Sequence, residues 1–374
     1  MIDPKKKAPL YVPPVKNIFS PQEILYLSDM RLSDLEAIRL VLNGDSVIDW
    51  FRLDFHTPDQ VQLFLQVNGY DLTNVQDRKR IEKIHREAVE YLDSKYPHRI
   101  PKEIRPESAT IEQLLYLASQ SARKNKHQFY ACMVLKIMHT INHLDARELF
   151  HRCQMRASDL YFAVERKVEH AVTTMKNNEF HIVDFYGSHK DKMSMVTKLM
   201  AKKENHAAAI YDRIRFRIIT QTLEDILPVL YFLGRTICPF NYVIPGSSHN
   251  NLIAFAELVE MFPNLRSYAK FLRRKDTHGF DPDEVSKENK FSSTSYRSIN
   301  IVMDIPIRVD DFLYTPDFSE FGRIIFVPVE IQIMDQMTYQ NNEIGEGSHS
   351  KYKQRQMDAV NQRLGLQQNG NSPG

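Results

Sequence analysis

Cysteine is scarce in this chain: Cys132, Cys153 and Cys238 are odd in number, far apart and without a Cys-x-x-Cys pair. That spacing excludes a disulfide framework and suggests no zinc cage. A surplus of one charge is also missing, since 49 Lys+Arg face 47 Asp+Glu for a formal +2. A whole-surface polyelectrolyte partner is therefore excluded, although a local basic groove is not. Long apolar runs are absent too. The most apolar stretch, residues 226–234, is far short of a bilayer span, and the Lys- and Pro-rich start, residues 1–15, lacks the apolar centre of an export signal. These absences point to a cytoplasmic chain without a membrane partner. What is present, 43% hydrophobic and 26% charged residues over 374 positions, suits a folded protein with core enough for about two domains.

Residues 1–20 read as a flexible leader. From 21 to 160 apolar residues recur at helical spacing, with Pro97, Pro101 and Pro106 falling between segments, so a helical N-terminal domain is expected. A helix over 160–177 leads into strand-like runs at 180–185, 214–219, 299–305 and 323–333. The expected fold class is therefore α+β, with a boundary near residue 160 and a mixed-sheet domain over 161–355. Residues 246–290 interrupt that domain with two helix-like pieces, 252–262 and 267–274, and read as an insertion, a lid or a stabilising surface elaboration. Residues 356–374 read as a helix end and a disordered tail, the latter from 367 onward.

Several positions carry chemistry. The segment from Gly187 to Leu199 is expected to leave a strand and open a helix, the place where backbone N–H groups favour an anion. Lys190, Ser194 and Lys198, four apart, would then form one polar stripe suited to a polyphosphate, opposite a buried stripe of Met193, Val196, Leu199 and Met200. The same lysines would equally serve as the solvated face of an amphipathic helix. Strand alternation places Arg213, Arg215 and Arg217 opposite Ile214, Phe216 and Ile218, and sends Asp212 toward the apolar side unless it stands at the strand's beginning. Arginine on an edge strand also guards against aggregation. Glu330 and Gln332 share one face of a strand and Val329, Ile331 and Ile333 the other. Tyr296, Ser298 and Asn300 likewise share the polar side of a strand over 296–303, where Tyr296 is a candidate stacking platform or a half-buried sheet tyrosine. Two carboxylates with nearby cations are the minimum for metal-assisted phosphoryl or pyrophosphoryl transfer. His139, His143 and Asp145 cluster on one helix and read as satisfied helix side chains rather than metal ligands.

In order and spacing these pieces resemble the synthetase domain of the RelA/SpoT alarmone enzymes, from about residue 165 to Lys353. The most specific part is Glu330-Ile331-Gln332-Ile333 followed by Glu343-Ile344-Gly345 and Ser348-His349-Ser350-Lys351-Tyr352-Lys353, against the family's Glu-Ile-Gln-Ile-Arg-Thr and Glu-x-Gly-x-Ala-Ala-His-Trp-x-Tyr-Lys. Lys190, Ser194 and Lys198 look like the ATP-binding motif, Asp212 and Arg217 like the metal-binding Asp and its following Arg, and Tyr296-Arg297-Ser298-Ile299 like the element whose Tyr stacks on guanine. The resemblance implies a nucleotidyltransferase-like mixed sheet and transfer of pyrophosphate from ATP to the 3′-hydroxyl of GDP or GTP. It implies Mg²⁺ on Asp212 and Glu330, with Glu330 also drawing the proton from the hydroxyl. ATP would meet Lys190, Ser194, Lys198, Arg215 and Arg217, with Arg215 a replacement for a missing cation. The acceptor would meet Tyr296, Asn300, Gln332 and His349.

The chain departs from the family at Ser188, Thr197 and Met334, where the family has Arg, at residues 291–295, which replace Pro-Lys-Pro-Asn-Gly, and at Asn300, which replaces His. Two alternatives follow. One keeps the chemistry with another acceptor, such as the tRNA 3′ end, drawn to the basic residues Lys270, Arg273, Arg274 and Lys275. The other is a nucleotide-binding regulator without turnover. The adjacent His-Asp pair of the family's hydrolase domain is missing, so alarmone hydrolysis is not expected.

Overall fold

The computed structural model describes residues 30–43, 53–96, 100–120, 126–152, 156–201, 214–237, 240–244, 246–275, 296–310, 320–344 and 349–366. The expected leader (1–20), the tail from 367, and residues 276–290 of the insertion lie outside them. Six helices come first among the described residues: α1 (Leu32–Asn43), α2 (Pro58–Val67), α3 (Val75–Lys95), α4 (Ile111–Ser119), α5 (Lys126–Arg152) and α6 (Ala157–Asn177). Their starts are written locally. Thr57 accepts from the Gln60 amide just ahead of Pro58, Asn74 accepts from the Gln76 amide, and Thr110 with Gln113 closes a reciprocal capping box. Leu65, Ile81, Ile84, Leu92, Leu114, Leu115 and Leu135 from α2 to α5 bury against one another in one core.

After α6 the chain forms β1 (Ile182–His189), α7 (Lys192–Ala201), β2 (Ile214–Thr220), α8 (Ile226–Thr236), β3 (His249–Asn250), α9 (Phe255–Glu260), α10 (Arg266–Lys275), β4 (Ile299–Arg308), β5 (Ile324–Asp335), α11 (Gln336–Ile344) and α12 (His349–Arg363). The five strands lie in the order β1-β2-β5-β4-β3, with β2 and β5 parallel and the other pairs antiparallel. The mixed sheet and the α+β class are as expected. At Gly187 a Cβ would stand 3.0 Å from the Phe216 ring, so any larger residue would have to push that ring aside where β1 crosses the core. The apolar run at 226–234 is a buried helix, α8, and no helix among the described residues is long and apolar enough to cross a membrane.

Four features differ from the sequence expectations. Gly187, Ser188 and His189 still belong to β1, and α7 opens only at Lys192, so Lys190 stands before the helix rather than on its face. Met193 and Val196 are exposed, at 72% and 44%, so α7 lacks the buried stripe that its spacing suggested. Tyr296 precedes β4 instead of lying in it. The described part of the insertion is no detached lid: it supplies β3 to the sheet, while Phe255, Leu258, Val259, Leu265 and Leu272 join the core beneath.

That second core also takes Leu35, Ile38, Val41 and Leu42 from α1, together with α6, α8 and the apolar sheet face of Phe216, Ile218, Ile301, Ile331 and Ile333. The first described helix thus joins the core under the sheet rather than the core shared by α2 to α5. On the opposite sheet face, α5 covers one end, where His143 stacks on Phe326 at 4.1 Å, and α11 covers the other, where Asn342 donates to the Met334 sulfur at 3.6 Å. The stretch between these two helices is a polar cleft.

Candidate active site

Strand register assembles the cleft. Tyr186 of β1 pairs with Arg217 of β2, Arg217 with Gln332 of β5, Gln332 with Asn300 of β4, and Asn300 with His249 of β3, so one polar row crosses the whole sheet. The next row carries Ser188, Arg215, Glu330 and Val302. Because alternate residues share a face, both rows look into the cleft. Glu330, Gln332 and Asn300 are buried, at 6%, 4% and 5% exposure, and each has a defined partner.

Arg215 donates from Nε and Nη2 to Glu330 Oε2, at 3.0 and 2.8 Å. Gln332 donates from Nε2 to Glu330 Oε1 at 3.1 Å, and its own Oε1 accepts from Arg217 Nε at 3.1 Å. This fixes the orientation of the amide, since only its nitrogen can face a carboxylate and only its oxygen a guanidinium. Arg217 also donates to the Tyr186 hydroxyl, lies 3.7 Å from Glu343 Oε1, and stands over the Tyr186 and Tyr339 rings at 5.2 and 5.7 Å. Burial holds the Tyr186 and Tyr296 phenols above their usual pKa, and the Tyr296 hydroxyl feels Arg217, Arg215, Glu330 and Glu343. Tyr296 stands just ahead of β4, where its carbonyl accepts from Asn251 Nδ2 at 2.8 Å. Asn300 meets His249 Nε2 at 2.6 Å, and Ser298 donates to Asn300 Oδ1 at 3.2 Å.

The lysine segment sits at the rim. Ser188 pairs with Arg215 and His189 with Ile214, so the chain leaves β1 beside the start of β2. Asp191 then caps α7, accepting from the Ser194 amide at 2.7 Å and from its hydroxyl at 3.2 Å. The Ser194 amide bond, helped by Lys353 of α12, keeps the Asp191 carboxyl below the ordinary carboxylate range. This helix start thus already holds an anion of its own, and Ser194 is engaged there. Lys190 and Lys198 are half-buried, and α12 seals the far end of α7 with Arg363 donating to the Leu199 and Met200 carbonyls at 3.3 and 2.9 Å.

The structure brings together Arg215, Arg217, Glu330, Gln332 and Asn300, and places Tyr296 just ahead of the strand that carries Asn300. Asp212 and Arg213 lie outside the described residues, as does the side chain of His349, the first residue of α12. Sequence reasoning assigned no role to Tyr186, Tyr339, Glu343 or His249. Tyr186 had a signal in the alternation it shares with Ser188, whereas the two-residue strand of His249 had none. His139 and His143 pack their rings at 4.4 Å on α5, and burial pushes His139 to about 3 and His143 to about 4. Asp145 turns away from them to pair with Arg80, and the carboxylate nearest His143 is Asp304 at 3.9 Å. As arranged, Glu330 accepts two bonds from Arg215 on Oε2 and one from Gln332 on Oε1, so a divalent cation at Oε2 would compete with the guanidinium. Among them, no three His, Cys, Asp or Glu side chains gather as a metal site.

No family profile matches the chain, and no curated protein matches it. Solved structures are similar to part of it. Small alarmone synthetase 1 from Bacillus subtilis, bound to its product pppGpp, is 18% identical, covers 55% of this chain and 86% of its own, and gives a TM-score of 0.30. Small alarmone synthetase 2 from Bacillus subtilis is 15% identical over 55% and 94%, with a TM-score of 0.29. A GTP pyrophosphokinase family protein from Streptococcus pneumoniae is 14% identical over 57% and 90%, with a TM-score of 0.30.

Proposed function

We propose that the cleft transfers pyrophosphate from ATP to the 3′-hydroxyl of GDP or GTP. The carrying observation is the set Arg215, Glu330, Gln332 and Arg217, a buried carboxylate held by one guanidinium of the neighbouring strand and linked through Gln332 to a second. The motif resemblance supports the same assignment. In this reading the acceptor base stacks on Tyr296 and meets Asn300. Arg215, Arg217, Lys190 and Lys198 offset the charge of the ATP phosphates. Glu330 takes the proton from the 3′-hydroxyl as its oxygen bonds to the β-phosphorus, and the bond from that phosphorus to the α-phosphate oxygen breaks, releasing AMP. Gln332 holds Glu330 and Arg217 at a fixed separation. Incubation of the purified chain with ATP labelled in its γ-phosphate, Mg²⁺ and GDP or GTP should give labelled guanosine 3′-pyrophosphates and one AMP each; unlabelled acceptors with no AMP would reject the reading.

A second acceptor is favoured by α10, which exposes Arg266, Lys270, Arg273 and Arg274 on a helix without an acidic residue, in the segment that begins with β3. Such a surface suits an RNA backbone. Label on the tRNA 3′ end in place of GDP and GTP would select it. A regulator without turnover would bind nucleotide and release no AMP, and AMP release abolished by Glu330→Gln would reject that version.

A further inference from the structure

The disagreement between the expected Mg²⁺ site and the observed partners of Glu330 carries an inference of its own. Arg215 and Glu330 are directly opposed across the parallel pair β2 and β5. Two donors of one guanidinium converge on a single oxygen, Oε2, at 3.0 and 2.8 Å. The second oxygen accepts from Gln332, which Arg217 holds in place from its other end. A divalent cation on Oε2 would stand at about 2.1 Å from that oxygen. It would then lie next to the guanidinium, so like charges would oppose each other across one atom. The pair is not sealed: the Arg215 side chain is 23% exposed against 8% for Glu330, so the arginine is the more open member. An arginine with a long flexible stem on the open side can turn to an arriving phosphate, to which its planar fork is suited.

We propose that Arg215 is the resident cation of Glu330. In the protein without nucleotide its guanidinium keeps divalent metal off the carboxylate, and a polyphosphate that draws the guanidinium away opens Glu330 to metal. Anion and metal are then bound cooperatively through a side chain that answers to both. The inference rests on the proposed function for the identity of the polyanion alone.

The test needs no turnover. Mn²⁺ is titrated into the nucleotide-free protein and followed by electron paramagnetic resonance, and inorganic tripolyphosphate is titrated calorimetrically with chelator present. Arg215→Gln should bind Mn²⁺ about 5–150-fold more tightly than the wild type, the usual range for coupled sites, while Arg215→Lys, which keeps the charge, should not. Glu330→Gln should bind metal-free tripolyphosphate more tightly than the wild type, because Arg215 is released. Equal Mn²⁺ affinity in the wild type and a folded Arg215→Gln protein would overturn the proposal. If Arg215→Gln does not fold, the tripolyphosphate arm decides, and an unchanged affinity in Glu330→Gln overturns it. Failure of the wild type to release AMP would reject the pyrophosphokinase reading and leave this coupling intact, whereas equal Mn²⁺ affinities would do the reverse.

Discussion

Two groups of arginines in this molecule use the same chemistry to different ends. At the seam between the helices and the outer ends of β4 and β5, Arg308 reaches Asp77 at 2.5 Å, Asp310 at 2.8 Å and the Gly69 carbonyl at 2.8 Å. Nearby, Arg323 pairs with Asp310, and Arg80 pairs with Asp145 and donates to the Glu320 carbonyl at 2.7 Å. Three guanidiniums meet three carboxylates there, and backbone carbonyls take further donors. In the cleft, Arg215 pairs with the buried Glu330, while Arg217 meets the exposed Glu343 at 3.7 Å and the neutral Gln332 and Tyr186. The seam array, whose Arg308 side chain is 9% exposed, joins residues more than 200 positions apart and clamps the fold; the cleft array, whose Arg215 side chain is 23% exposed, is open to receive an anion.

Glu330→Gln tests this contrast most severely. In the proposed reaction it should lower AMP release about 10²–10⁴-fold, the usual worth of a general base, while the urea midpoint moves little. Arg308→Ala should do the opposite. It leaves the buried Asp77 uncompensated and should cost about 3–5 kcal/mol in urea unfolding, with activity per folded molecule kept. Arg217→Leu should raise the KM for ATP about 10–100-fold, as loss of a bond to a charged group does, with a smaller change in kcat. A KM left unchanged would remove Arg217 from the phosphate site.

The gentlest probe is pH. Burial holds His139 at about 3 and His143 at about 4, below the ordinary 6.5, so the unfolded chain takes up their protons first and stability falls as pH drops below about 6.5. Burial raises Asp304 from 3.8 to about 6, so between those values the folded form holds more of that proton, and the corresponding stabilisation is lost as pH rises through about 6. Two groups oppose one, so the melting temperature should fall on acidification from pH 6.5 to 4.5. Asp304→Asn removes the opposing contribution and should make that fall steeper; an identical slope would show that Asp304 does not oppose the histidines.

Much of this was legible in the chain because period and alternation are local. The stripe in residues 111–117, the even and odd faces of 214–219 and 329–333, and the carboxylate beside Gln332 all follow from neighbours in sequence. Register between β2 and β5, 115 positions apart, is not local, and neither was the pairing of Arg215 with Glu330. Alternation therefore identified which arginines face the cleft but not what they hold. The stripe of α7 misled for a related reason: helical spacing says which residues share a face, not whether another element covers it, and Met193 and Val196 remain in solvent. Strand β3 is two residues long, below the length at which a period can be read.

The place of α1 has a consequence for synthesis. Leu35, Ile38, Val41 and Leu42 leave the ribosome well before the partners they bury against, which include Ile301 and Ile331, made some 260 to 300 residues later. During translation this helix must wait with its greasy side uncovered, the kind of interval in which nascent chains aggregate or recruit chaperones. Cutting the polypeptide at residue 160 would make that wait permanent, and the fragment bearing the strands would be born with a hole where α1 belongs.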